Sequence, residues 1–227
     1  LSSDDVYDID TDTRGHTWIA TFGGGLTLID RKDGRLRFVH PGNQLRHYPM
    51  AHDAKIRRVT HTAHGVVLLS TTGGLVTFSD RFASPSQIRF FCNQHTRYGQ
   101  GGLGASDVLQ TLVTRRNGVL VVTLGGGLQQ IMSGNLLSDH LRFTPWGQLN
   151  TDEGIVQSIA EANNGDIWMM REGSIMRRLY GSGNVLQYVP DTQGSDIEFS
   201  EAKPMHDPHT DVITVGARGG VVYFDPK

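Results

Sequence analysis

Three stretches of this chain gather side chains able to grip a polar ligand: Arg46, His47 and Tyr48 with His52 nearby, then His95, Arg97 and Tyr98, and finally Trp146. Arg171 joins them from a turn. Aromatic rings cover the apolar faces of sugar rings, and Arg or His donors meet hydroxyl or uronate oxygens, so the set reads as a surface for an oligosaccharide. The same residue types also occur on surface loops that bind nothing. Other constellations carry less. Asp8, Asp10 and Asp12 imitate the opening of a calcium loop, but Thr13 stands where glycine is needed and Ile19 where the closing Glu belongs. His47 and His52 lack a third ligand, and no metal site is assigned. Gly23 to Gly25 and Gly125 to Gly127 lead into strands, not into the helix N-terminus that would receive a phosphate. Cys92 is the only cysteine, which excludes an internal disulfide. Its apolar run, Ile88 to Cys92, and the lack of an adjacent base read as a structural thiol.

The elements that must position these loops announce themselves by repetition. An apolar strand, a turn, a second apolar strand and a Gly-rich turn run from Val6 to Asp30 and return from Ile56, Val108, Ile155 and, degraded, Phe199. Gly15, Gly65, Gly118 and Gly165 fill the first turn at intervals of 50, 53 and 47, with Asp211 in the fifth place 46 residues on. The second turn ends in Leu26, Leu75, Leu128, Ile175 and Val221, at intervals of 49, 53, 47 and 46. Two independent anchors that keep the same spacing mark a repeat whose units bury their faces on one another.

Each copy offers four short runs of β-branched, aromatic or alternating apolar residues; in the first these are 6–10, 17–21, 26–29 and 36–40. Gly, Asp and Asn occupy the turns, as tight hairpins require. Four-stranded units at this spacing predict an all-β propeller of about five antiparallel blades in one region, 1–227, partitioned near 1–50, 51–102, 103–150, 151–195 and 196–227. Inner strands are expected near 6–10, 56–61, 108–113, 155–160 and 199–204, the last weakened by Pro204 and Pro208. The fifth copy has no room for a fourth strand, and Leu1 to Asp5 are too few to supply one. A piece of a larger ring with exposed end faces is therefore expected. Trp18 and Trp168, at equivalent second-strand places, should pack between blades.

The run from Leu1 to Asp30 resembles the two-component regulator propeller repeat, through Leu1, Ser2, Val6, Ile9, Asp12, Gly15, Trp18, Ile19, Thr21 and Gly23 to Leu26. A second good copy carries Val156, Ile159, Glu161, Gly165, Ile167 and Trp168. Ala20 replaces the usual glycine, the second, third and fifth copies lack the Trp, and the fourth lacks the GGGL turn. The resemblance implies a propeller, commonly seven-bladed, in the periplasmic sensor ectodomain of a hybrid two-component regulator of the Bacteroidetes type. An oligosaccharide or another small extracellular ligand is implied, and the implied partners are the other domains of the receptor and a second copy of it.

Composition agrees with this reading. The chain is 37% hydrophobic with 28 Gly, and 21 basic residues against 23 acidic ones leave no footprint for nucleic acid. No apolar run approaches the about 18 residues of a membrane helix. A propeller enzyme such as a lyase would need acids, bases or metal ligands converging from several blades, and none recur at equivalent repeat positions. No catalytic residue and no cofactor are therefore assigned. A non-catalytic sensor leads, with a propeller enzyme and a protein-interaction scaffold as alternatives. The expected binding rim joins the connections near 41–54, 92–106 and 145–154 to the second-turn residues Phe22, Thr71, Leu124 and Arg171.

Overall fold

The computed structural model describes residues 1–32, 34–95, 101–147, 155–171, 174–188, 198–199 and 203–226. Five antiparallel sheets follow one another along the chain. The first blade is β1 (Val6–Thr11), β2 (Thr17–Thr21), β3 (Gly25–Lys32) and β4 (Arg35–Val39). A short helix, α1 (Met50–Asp53), leads into β5 (Ile56–His61), β6 (Val66–Thr71), β7 (Leu75–Ser79) and β8 (Phe91–Asn93). The third blade is β9 (Val108–Val113), β10 (Val119–Thr123), β11 (Gly127–Ile131) and β12 (Phe143–Pro145), and the fourth β13 (Val156–Glu161), β14 (Ile167–Arg171), β15 (Ser174–Arg178) and β16 (Val185–Tyr188). Among the described residues the fifth has three strands: β17 (Met205–His206), β18 (Ile213–Ala217) and β19 (Gly220–Phe224).

Four inner strands lie where the repeat places them; of the fifth, expected near 199–204, residues 200–202 lie outside the described residues. Among the described residues Phe199 bridges Ala217, and Met205 and His206 pair with Thr214 and Ile213. Pro204, immediately before β17, has no N–H to give a ladder.

The strands of the inner blades are apolar on both faces because each is covered twice. Val67 and Leu69 turn toward the first blade and join Trp18, Leu26 and Leu28, whereas Leu68 and Leu75 turn toward the third and join Val108, Val119 and Val121. Two further cores follow, one around Leu120, Ile159 and Met169 and one around Trp168, Ile213 and Val215. Each fully buried aliphatic side chain contributes about 1.5–3 kcal/mol, so interblade packing is the main source of order. Trp18 and Trp168 are 0% and 4% exposed, between blades as expected.

Inner strands also exchange side-chain bonds with the next blade. The Asp8 carboxylate accepts from the Val59 N–H (3.0 Å), and the Gln110 amide both accepts from and donates to the Ile159 backbone (2.9 Å each). Asp8 and Gln110 hold equivalent places, two residues after the strand start at a register shift. The end faces stand uncovered. Ile9 is 59% exposed, whereas its counterparts Val59 and Ile159 are 1%; Val221 and Tyr223 are 53% and 68%, against 0% and 1% for Leu26 and Leu28.

Candidate functional site

One rim carries both the second turns and the connections between blades. Phe22, in the first blade's turn, bridges Lys55 at the entry to the second; Gly23 and Gly25 donate to the Ala54 carbonyl, and Thr72 donates to that of Lys55. On this rim Tyr7 stacks on Phe22 at 4.6 Å, and Lys55 and Arg57 lie 5.1 and 5.7 Å from the centre of the Phe22 ring. Arg57 also grips Asp107 of the next blade through two 3.0 Å bonds. An aromatic platform ringed by cations is thereby fixed at the start of the inner strands.

Beside it, α1 and the outer edges of the second and third blades enclose a cleft of about 570 Å³. Its walls include His52, Asp53, Cys92, Asn93, Leu103, Arg142 and Phe143. The edges are tied by Cys92 N–H donating to Asp139 Oδ1 (2.7 Å) and by Asn93, which donates to the Ser138 carbonyl and accepts from the Leu141 N–H. Asp53 is 1% exposed. Its Oδ1 accepts from the Thr71 hydroxyl, while its Oδ2 has no hydrogen-bond partner among the described residues. Burial pushes this carboxyl above its usual range, against the opposing hydrogen bond from Thr71 and charge of His52. Gly73 lets α1 approach this closely, since a Cβ there would meet the His52 carbonyl oxygen at 2.2 Å.

The predicted residues divide. Arg46 and His47 are exposed on the connection, with Arg46 Nε donating to the Asn43 carbonyl. Tyr48 is not a ligand ring: it is 4% exposed in the core between the first two blades, and its hydroxyl donates to the Asp53 carbonyl at 2.6 Å. Burial holds its hydroxyl well above the ordinary phenol range. Tyr48 therefore positions the turn that presents Asp53. His95 is exposed, with Nδ1 on the Leu103 carbonyl (2.8 Å) at the cleft edge. Arg97 and Tyr98 lie outside the described residues. Trp146 is half-buried against the third core, with the Arg178 guanidinium 4.1 Å over its ring. Arg171 is a correction: it is 2% exposed, and its Nη1 donates to Met176 Sδ at 3.0 Å. Strand register aligns it with the buried Thr21, Thr71 and Thr123, because the fourth blade's turn is one residue shorter than the first's. It is therefore not the counterpart of the turn residue Phe22.

Cys92 is half-buried, and burial, aided by the Asp53 and Asp139 charges, pushes its thiol up to about 11. It stays protonated at neutral pH. The acids Asp8, Asp10 and Asp12 take separate partners: the Val59 N–H, the His61 ring, and the His16 and Trp18 rings.

Asp53 is not among the residues expected from the sequence, although it follows His52 inside the first connection. The central channel, about 360 Å³, where Asp10, His61, Gln110, Arg115, Glu161 and Lys203 converge from five blades, is not expected from it either. His61 and Glu161 are equivalent strand-end residues, whereas Asp10 comes from one position earlier in its strand. The usable signal is a titratable residue in the last two places of an inner strand, as at Asp10, His61 and Glu161.

The architecture defines a β-propeller. No protein-family model matches the sequence, and no curated protein matches it. Solved structures do. The extracellular domain assigned to the hybrid two-component system BT4673 of B. thetaiotaomicron superposes with a TM-score of 0.69 at 17% identity, over 98% of this chain and 30% of that one. For BT3049 of the same organism the values are 0.56 and 16%, over 100% and 34%. Virginiamycin B lyase of Staphylococcus aureus gives 0.61 and 14%, over 98% and 71%. The chain thus spans about a third of the length of the two receptor ectodomains it resembles.

Proposed function

We propose that this propeller is a non-catalytic sensing module in the periplasmic ectodomain of a hybrid two-component regulator, and that its rim cleft receives an extracellular oligosaccharide. The observation that carries this reading is the buried Asp53 carboxyl, which lines a concave site with one oxygen unmatched. A buried acceptor left unpaired costs about 1–3 kcal/mol, and a sugar hydroxyl that donates to it recovers that cost. Arg142 supplies an opposing donor at the wall, and the Tyr7–Phe22 stack offers an apolar face on the same rim. In the receptor, the other domains and a second receptor chain are the partners. Ligand would signal by favouring one arrangement of that pair over another.

The test is a glycan array followed by calorimetry on the 227-residue chain. Asp53→Asn keeps an oxygen for Thr71 and should weaken the selected oligosaccharide about tenfold, the worth of one charge-assisted bond. The ligand should be recovered unchanged. Affinity that is indifferent to both Asp53→Asn and Arg142→Ala would remove the cleft as the site. A propeller enzyme is the second reading, favoured by the His61–Asp10 pair (2.8 Å) in the channel. Turnover of the bound ligand would establish it and overturn the sensor reading.

A further inference from the structure

Most polar groups that line the central channel are already engaged. Gln110 spends both amide atoms on the Ile159 backbone, Thr60 donates to the Thr111 carbonyl, and Asp10 accepts from His61 Nδ1 and the Thr11 N–H. Glu161 Oε2 accepts from the Arg115 N–H, and His206 Nε2 pairs with Asp211. What remains open is mostly donors. His61 keeps Nε2, because Nδ1 is committed to Asp10. Lys203 lines the cavity, is exposed, and makes no hydrogen bond or ion pair among the described residues. Arg115 spends one nitrogen on the Asn163 side chain and retains the rest of its guanidinium.

Counting unit charges, Lys203 and Arg115 face Asp10 and Glu161, and a proton on His61 tips the balance to positive. That proton is favoured. The Asp10 hydrogen bond, opposed by burial, holds the imidazole above its ordinary value, with Asp10 and Asp12 adding negative and Lys203 adding positive potential. The walls are low-dielectric strand edges, which strengthen a captured charge.

We infer that the channel is a second binding site, distinct from the rim cleft, for a small organic carboxylate, with His61 Nε2, Lys203 and Arg115 as its donors. The carboxylate takes two of these donors, and the organic group fills a space that fits a monosaccharide acid or smaller. The inference does not rest on the oligosaccharide reading of the cleft.

The experiment titrates the chain with D-glucuronate, glucose and inorganic phosphate, following the His61 ring signals by NMR and the heat by calorimetry. Glucuronate should bind saturably and shift the His61 signals, and glucose should not. Lys203→Gln should weaken glucuronate at least threefold and Glu161→Gln should tighten it, two opposite shifts that a merely structural role does not produce. Affinity should also fall as pH rises and His61 loses its proton. Asp53→Asn should leave it unchanged, so failure here is separable from failure of the cleft. The inference is overturned by absent glucuronate binding, by equal affinity for glucose or phosphate, or by indifference to both Lys203→Gln and Glu161→Gln.

Discussion

The two interblade tryptophans occupy equivalent places but differ in one hydrogen bond, which allows the packing and polar contributions to be separated. Trp18 Nε1 donates to Asp12 Oδ2 at 2.7 Å, in a site where Asp12 is itself 6% exposed. Trp168 Nε1 is buried with no acceptor among the described residues, and its ring lies against Tyr188, Phe224 and the Arg177 guanidinium. Replacing either by Phe removes a similar volume, a cavity cost on the order of 1 kcal/mol in both cases. Trp18→Phe also loses a hydrogen bond to a buried carboxylate, about 1.5–3 kcal/mol, while Trp168→Phe relieves an unpaired donor that costs about 1 kcal/mol. The equal cavity costs cancel, so the difference should be about 2.5–4 kcal/mol, with Trp168→Phe near neutral. Urea unfolding followed by far-UV circular dichroism reads this as a midpoint lower by about 1 M for Trp18→Phe at unchanged slope. The corresponding Ala variants should each lose about 3–5 kcal/mol, since both rings fill interblade core. Equal midpoints for the two Phe variants would refute the assignment of that bond, and unchanged midpoints for the Ala variants would refute the core placement.

Propeller architecture is legible in this sequence because each blade needs the same turns and the same apolar faces, so the constraint is written five times. Gly15, Gly65 and Gly165 all carry positive φ, and Asp211 at +65° keeps that conformation without glycine. Local chemistry is thus conserved in form even where residue type changes. The site is less legible, because exposure depends on partners that sequence spacing does not reveal. Tyr48 and Arg171 have the right chemistry for a ligand, yet one braces α1 and the other replaces a threonine at a buried strand end. Asp53 is invisible to a search for aromatic and basic residues; its interest lies in an oxygen left unmatched after Thr71, Tyr48 and Gly73 have fixed the turn. The channel is hidden in the sequence for a geometric reason. Adjacent inner strands offer residues from successive heights, so Asp10 meets His61 rather than its own counterpart Thr60.

Gly25 and Gly127 share a positive φ, +73° and +71°, but differ in surroundings: a Cβ at Gly25 would lie 2.6 Å from Met50 Sδ and 2.9 Å from the Tyr48 ring, whereas at Gly127 it would meet nothing within 4 Å. Gly127→Ala should cost about 1–2 kcal/mol of backbone strain, and Gly25→Ala about 1–3 kcal/mol more from overpacking; equal denaturation midpoints would contradict the difference. The His61–Asp10 pair predicts a pH dependence with a definite sign. The Asp10 hydrogen bond raises His61 above the ordinary 6.5, so its contribution to stability is fully present below that value and is lost as pH rises through the higher folded value. Burial alone would raise Asp10, but His61 and Lys203 outweigh it and leave the carboxyl below 3.8, so its contribution is present above 3.8 and is lost as pH falls through the lower folded value. The pair is therefore strongest from above the ordinary carboxylate range up to the imidazole range. Asp10→Asn removes the cause of both shifts, and an NMR titration of the His61 ring should then move its midpoint down while the alkaline loss of stability diminishes. A midpoint unmoved by Asp10→Asn would show that the 2.8 Å contact does not hold the proton, and would withdraw His61 as the charged donor of the channel.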